Sequence, residues 1–329
     1  MGHRIYITGS GIAEEAQQLL REEDCAFAAG NPKDTPGDIA GELAMFRPDG
    51  IIVRQGKITA EVMDAAATLR VICKHGVGTD NIDLAAATRR GIPVLYTPQA
   101  NYESVAEHTL TLILSLIRRI PLEDKRVRAG IFDKKNYDGR ELLGKTLGII
   151  GFGRVGRRLA ELVVPFRMEV VAYDPFWPAA TPPSHVVRVE EAEDVFSRAD
   201  IITLHCPLTP DTRNLINARS IARMKQGVCI VNTARGGIVN EGDLIRALQD
   251  QRVGGAALDV FEVEPPAGDH PLLQLSNVIF TSHVAGSSDN SMKNMGVESV
   301  RNVLTVLRGH PPDRESLVNP EVLDVSGDR

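Results

Sequence analysis

Four side chains in the second half of the chain could do chemistry together. Arg235 follows the apolar run at 228–232 in "VNTARGG", Asp259 and Glu264 follow the run at 254–257 in "ALDVFEVEPP", and His283 stands after the run at 277–281 in "TSHVAG". Ligands of open parallel α/β sheets bind beyond the carboxyl ends of the strands, so these residues are expected on one edge. A guanidinium offers a planar fork to a carboxylate and polarises a neighbouring carbonyl. An imidazole titrates near neutral pH and can deliver a proton to a carbonyl oxygen; an adjacent carboxylate would orient the ring and favour its protonated form. Such a set suits the reduction of a 2-keto acid, provided that something supplies hydride. Each residue alone has a plainer reading: Arg235 as a surface charge, Glu264 as a solvated turn residue before Pro265, His283 as a satisfied strand-end histidine. Their conjunction argues for chemistry.

The hydride source must come from a strand–glycine–helix turn, and the sequence holds two. "IYITGSGIAEEAQQLL" has Gly9 and Gly11 but puts Glu14 where a third glycine belongs. A glutamate there obstructs close helix–strand packing and repels a pyrophosphate, so this turn reads as structural. "TLGIIGFGRVGRRLAELV" has all three glycines. Gly151 permits the tight turn, Gly153 lets backbone N–H groups approach a pyrophosphate, and Gly156 lets the helix pack on the strand. The helix N-terminus then presents its positive end to the phosphates. The next strand, "EVVAYD", ends at Asp174, 18 residues after Gly156. A carboxylate there binds ribose hydroxyls and repels a 2′-phosphate, and Pro175, Phe176 and Trp177 follow with no arginine, which favours NAD over NADP. Another nucleotide, such as S-adenosylmethionine, remains an alternative at this point.

Strand and helix patterns alternate along the whole chain, the signature of parallel α/β sheets. Strands are expected near 4–8, 50–53, 71–74 and 92–95, with helices near 11–22, 37–46, 59–67 and 83–90. After "YTPQANYES" a helix is expected over 102–120, apolar on most sides and so in need of cover all round. A second series places strands at 146–150, 169–173, 200–204, 228–232, 254–259 and 277–281, then a helix over 287–308. The stretch "DPFWPAATPPSH" reads as a surface loop. With 329 residues the chain exceeds one ordinary core. The predicted architecture is α/β in two domains: a Rossmann doubly wound parallel sheet at 101–287, inserted in a smaller flavodoxin-like α/β domain made of 1–100 plus 288–329, with a cleft between them.

Bulk properties exclude several classes. A net charge of −6 argues against nucleic-acid and anionic-membrane partners. "MGHRIYITGSG" lacks a signal core and no apolar run reaches membrane-spanning length, and the tail "VNPEVLDVSGDR" is expected to leave no room for a further domain. Cys25, Cys73, Cys206 and Cys229 lie far apart, which suits reduced thiols in a cytoplasmic protein, and the eight histidines show no metal-ligand spacing.

The motifs "GFGRVG", "YDP", "HCPLTPDT", "VNTARGG", "ALDVFEVEPP" and "TSHVAG", with "GVGTDNID" and "SVAEHTL" before them, resemble those of the D-isomer-specific 2-hydroxyacid dehydrogenases. The resemblance runs in order from about Val53 to the final "VNPEV". It implies Arg235, Glu264 and His283 as the catalytic set and Asp259 on the nicotinamide side. It implies NAD held by Gly151, Gly153, Arg154, Val155, Gly156, Asp174, Cys206, Pro207, Thr212, Thr233, Ala234 and Gly286, and a substrate carboxylate held by the N–H groups of Val77 and Gly78. It also implies a homodimer built on the cofactor domain, which would cover the helix at 102–120. Formate dehydrogenases, close relatives, lack a glutamate at the Glu264 position, so that branch is disfavoured. Arg54 resembles the arginine that meets the anionic tail of the substrate in phosphoglycerate dehydrogenases. His75 replaces the small residue usual in those enzymes and is expected to narrow or recharge the substrate pocket, while His108 reads as structural, satisfied by local hydrogen bonds. The activity implied is NAD-dependent reduction of a small 2-keto acid to a D-2-hydroxy acid. The alternatives are a short D-3-phosphoglycerate dehydrogenase and a non-catalytic NAD(H)-sensing protein of the corepressor type.

Overall fold

Short runs of aliphatic residues separated by amphipathic helices favour parallel pairing, because a helical crossover is the connection that parallel strands need. The computed structural model describes residues 2–177 and 182–325. In chain order the elements are β1 (Arg4–Thr8), α1 (Glu14–Glu22), β2 (Ala26–Ala29), α2 (Pro36–Phe46), β3 (Gly50–Val53), α3 (Ala60–Ala65), β4 (Val71–Lys74), α4 (Leu84–Arg89) and β5 (Val94–Leu95). There follow α5 (Tyr102–Ile117), α6 (Ile120–Arg128), β6 (Thr146–Ile150), α7 (Arg154–Leu162), β7 (Glu169–Tyr173), β8 (Val186–Arg188), α8 (Ala192–Arg198) and β9 (Ile201–Leu204). The last are α9 (Ala218–Arg223), β10 (Val228–Asn232), α10 (Glu241–Gln249), β11 (Val253–Leu258), β12 (Val278–Phe280), α11 (Asp289–Leu307) and α12 (Val322–Val325). Two compact units result, Met1–Asn101 with Gly286–Arg329, and Tyr102–Ala285.

The first unit holds a five-stranded sheet, every pairing parallel, in the order β2-β1-β3-β4-β5 of flavodoxin-like folds. One face packs on Ile39, Leu43, Val62 and Met63, the other on Leu20, Val300, Val303 and Leu307. The second face thus depends on α11, which returns from the far end of the chain. Gly50 permits its approach, since a Cβ there would lie 2.7 Å from Cγ1 of Val303. Asn319 ties the returning segment to the sheet edge, accepting from Val94 N–H and donating to the Ile92 carbonyl.

The second unit holds a seven-stranded parallel sheet, β12-β11-β10-β9-β6-β7-β8, whose order reverses at β6 as in a doubly wound Rossmann fold. The expected helix over 102–120 is α5, which ends at Ile117, and a second helix, α6, follows it. Arg119 sits in the left-handed region between them (φ 53°), and Pro121, which cannot donate within a continuing helix, opens α6. Nor is α5 covered all round within the chain. Glu103, Glu107 and Thr111, four residues apart, form an exposed polar stripe beside the buried Ala106, Leu112 and Ile113. The expected strand at 92–95 shortens to two residues, and β8 adds a strand beyond those read from the sequence. Within the proline-rich stretch, residues 178–181 lie outside the described residues. Among the described residues all four cysteines are free thiols, and no helix is long and apolar enough to cross a membrane.

Candidate active site

β10 ends at Asn232, a buried side chain that braces the turn after it: its oxygen accepts from Ala234 N–H (3.0 Å) and its amide donates to the Arg235 carbonyl (2.9 Å). Asparagine suits such a turn because its side chain replaces a backbone partner. Arg235 is half-buried, with Nη1 donating to the Ala234 carbonyl. Gly236 then passes so close to Phe261 that a Cβ would lie 1.9 Å from its carbonyl carbon and oxygen. Only glycine allows this contact, which sets the turn carrying Arg235 backbone to backbone against the segment that leads to Glu264.

Glu264 and His283 are paired. Oε2 of Glu264 lies 2.8 Å from Nδ1 of His283, and Oε1 accepts from Phe261 N–H at 3.0 Å. Burial would push the Glu264 carboxyl up; the hydrogen bonds from His283 and Phe261, with the charges of His283 and Arg235, outweigh it and hold the carboxyl below its usual range. The His283 side chain is half exposed (50%), and its backbone is left-handed (φ 56°). With Nδ1 committed to Glu264, Nε2 is the nitrogen left to serve a ligand.

Asp259 holds the His283 loop. Its carboxylate accepts from Thr281 Oγ1 (2.5 Å), Val284 N–H and Ala285 N–H (both 2.9 Å), and its carbonyl accepts from His283 N–H (2.8 Å). The side chain is fully enclosed, and with three internal donors on its carboxylate it braces that loop. His108 departs from expectation. Its Nε2 reaches Thr281 Oγ1 at 3.1 Å, 173 residues away, rather than a local partner. Sequence reasoning missed Asn232, Thr281 and Ser104, whose hydroxyl donates to the Ala285 carbonyl. The strand-end asparagine was the one legible signal among them.

The glycine-rich turn after β6 has the close approaches expected at Gly151 and Gly156. Gly151 (φ 93°) packs so close that a Cβ would sit 2.6 Å from Cys206 N, and Gly156 lies 2.4 Å from the Gly151 carbonyl by the same measure. A Cβ on Gly153 would meet nothing within 4 Å. Gly153 and Arg154 are exposed at the start of α7 and Val155 is half-buried, so the helix N-terminus faces open space. Asp174 stands beside the turn, accepting from Phe152 N–H (2.7 Å) and Phe176 N–H (2.8 Å); each carboxylate oxygen keeps a second lone pair. The Phe152 ring stacks on Trp177, centroids 4.2 Å apart. Beyond β9 and β10, Cys206 and Ala234 are partly exposed and Pro207 is exposed. Thr212 donates to the Pro207 carbonyl (2.6 Å), while the Thr233 hydroxyl turns inward to Thr109 (2.9 Å). Burial lowers His205, beside this turn, to about 3, which keeps it neutral at working pH.

The remaining expected residues belong to the first unit. Arg54 follows β3 and is tied to the turn after β1, donating to the Ser10 carbonyl (2.8 Å), the Ser10 hydroxyl (2.6 Å) and the Gly11 carbonyl. His75 follows β4 and is 7% exposed; its Nε2 is enclosed without a hydrogen-bond partner. Burial and then the Arg54 charge lower it to about 4. Val77 is exposed and Gly78 half-exposed, past a bend at Gly76 held by Thr97 Oγ1 (2.9 Å). Gly286 opens the segment leading to α11, where a Cβ would lie 2.9 Å from Asn101 Nδ2.

Residues 110–285 match the NAD binding domain of the D-isomer specific 2-hydroxyacid dehydrogenases. The chain belongs to that family. Over 303 residues it is 42% identical to the D-3-phosphoglycerate dehydrogenase of Archaeoglobus fulgidus, covering 91% of this family member and 56% of the relative. Over 309 residues it is 38% identical to the hydroxypyruvate reductase of Thermotoga maritima, covering 93% and 98%. It thus spans about half the length of the phosphoglycerate dehydrogenases it matches and nearly all of the reductase. Among solved structures, the NAD-dependent formate dehydrogenase of Staphylococcus aureus in complex with NAD superposes with a TM-score of 0.83 at 29% identity, over 96% of this chain and 98% of that one. NAD is the cofactor of this family member, and the open space at Gly153, the exposed helix start and the Asp174 carboxylate fit it.

Proposed function

We propose that this chain reduces a small 2-keto acid to a D-2-hydroxy acid, and runs the reverse oxidation, with Arg235, Glu264 and His283 as its catalytic residues. The 2.8 Å pairing of His283 Nδ1 with an ionised Glu264, in a site charged by Arg235, carries the reading. NADH, when bound, supplies the hydride. Arg235 holds the substrate carboxylate and polarises the carbonyl. His283 gives its Nε2 proton to the carbonyl oxygen, and Glu264 stabilises the imidazolium before transfer and fixes the ring. Gly151, Gly153, Arg154, Val155, Gly156, Asp174, Cys206, Pro207, Thr212, Thr233, Ala234 and Gly286 serve the cofactor, and Asp259 holds the loop of His283.

We assign cofactor binding to the unit Tyr102–Ala285 and substrate selection to the other unit, through Arg54, His75 and the N–H groups of Val77 and Gly78. A homodimer through the cofactor unit, in the cytoplasm, completes the proposal. Its support is α6, which buries no residue, and the exposure of Ile120, Val127 and Phe132 in and after it. Relatives named hydroxypyruvate reductase favour hydroxypyruvate or glyoxylate as substrate; relatives named D-3-phosphoglycerate dehydrogenase, with Arg54 at a strand end, favour phosphohydroxypyruvate as a second reading. The test is NADH oxidation with hydroxypyruvate, glyoxylate, pyruvate and phosphohydroxypyruvate. Turnover of at least one is expected, and Glu264→Gln should lower kcat. Tight NADH binding without turnover of any of them would favour a sensor instead.

A further inference from the structure

Three polar side chains on one face of α5 hold both catalytic loops. Ser104 donates to the Ala285 carbonyl at 2.7 Å, His108 meets Thr281 at 3.1 Å, and Thr109 meets Thr233 at 2.9 Å. The first two grip the loop of His283 and the third grips the turn of Arg235. The proton positions follow from valence. Thr281 has one hydroxyl proton and gives it to Asp259, so its oxygen must accept from His108, which fixes the Nε2–H tautomer of that ring. Thr109 gives its proton to the Val105 carbonyl (2.7 Å), so Thr233 is the donor between the two hydroxyls. Asp259, loaded by Thr281, then holds Val284 N–H and Ala285 N–H, the two residues that follow a histidine with a left-handed backbone.

We propose that α5 is a positioning element of the active site and that His108 is a positioning residue, acting on His283 through Thr281 and Asp259. It touches no reacting atom. It supplies the hydrogen bond that directs the Thr281 proton to Asp259 and so sets the loop on which His283 stands. This rests on the assignment of His283 as the proton donor, and the test separates the two.

In the full chain, His108→Phe keeps a planar ring but loses the donor, whereas His108→Gln restores an N–H at similar reach. With hydroxypyruvate and NADH, His108→Phe should lower kcat about tenfold, a fraction of the roughly 10²–10⁴-fold that a positioned general acid contributes. KM for NADH should stay unchanged, and His108→Gln should recover most of the loss. Thr281→Val should reproduce the defect, and the double variant should be no worse than either single one, because both break the same connection. The NMR signal of the His283 ring proton shared with Glu264 should shift in His108→Phe and return in His108→Gln. An unchanged signal in His108→Phe overturns the proposal whether or not any keto acid is turned over. So does a kcat loss that merely follows the fraction folded, or losses that multiply in the double variant. If His108→Phe cannot be folded, Thr281→Val against Thr281→Ser decides by the same readouts. A shifted signal in a chain that turns over no keto acid would retain the clamp and remove the proposed activity.

Discussion

The two glycine turns share a topology and differ in chemistry. Each follows a first strand and opens a first helix of a parallel sheet, at Gly9 and at Gly151. After β1 the carbonyls of Ser10 and Gly11 accept from the Arg54 guanidinium, and α1 opens with Glu14 and Glu15. After β6 the Gly153 position stands open and the start of α7 carries no acid. The histidines nearby differ in the same sense. His75, buried beside Arg54, is held neutral; His283, half exposed beside Glu264, has a carboxylate to support its proton. A motif of glycines or a lone histidine therefore says little until its nearest charges are known. In one unit both features lie beside the Arg54 cation, and acid opens the helix; the other leaves the turn open and gives its histidine an anion.

The largest expected effect separates the two histidines. His283→Ala should cost at least about a thousandfold in kcat with NADH binding retained, whereas His75→Asn should stay within about tenfold. Steady-state rates alongside NADH fluorescence titration check this, and equal losses would erase the distinction. Next, Gly153→Glu gives the second turn the charge that Glu14 brings to the first. Since a Cβ at 153 meets open space, the fold should persist while Kd for NADH rises about a hundredfold or more. Retained binding would place the cofactor elsewhere.

A third effect concerns acid stability. His75 is lowered from 6.5 to about 4 in the folded chain, so between these values the unfolded chain binds more protons and stability falls as pH falls. The loss begins near pH 6.5, is complete near pH 4, and amounts to roughly 3 kcal/mol. Urea unfolding across that window should show a shallower decline for His75→Asn; parallel curves would mean that the ring is protonated where it stands. The smallest effect belongs to Glu14→Ala. It removes a favourable first-turn charge and an exposed ion pair with Arg21, so thermal unfolding should register about 1 kcal/mol or less and NADH affinity should not move.

These contrasts also mark what could be read from sequence. Arg235, Glu264 and His283 were legible because strand ends in a parallel sheet converge, and the glycine spacing after β6 carries its own mechanism. The bonds made by His108, Thr281 and Asp259 were not, since their partners lie up to 173 residues apart and a hydroxyl's preference leaves no periodic trace. The α6 helix, with Pro121 in its first turn, went unread because its nine residues carry five charges and bury none, so no apolar face marks it. The β8 strand is three residues long and so falls below any periodic pattern.

Gly236 bears on how this site can change. Its missing side chain welds two backbones together, so a shift of the segment bearing Glu264 drags Arg235 with it. In the proposed reaction, carboxylate grip and proton supply would therefore move as one rigid cassette. Any redesign for a bulkier acid would have to be made elsewhere, because a single methyl group at 236 is enough to pry the cassette apart.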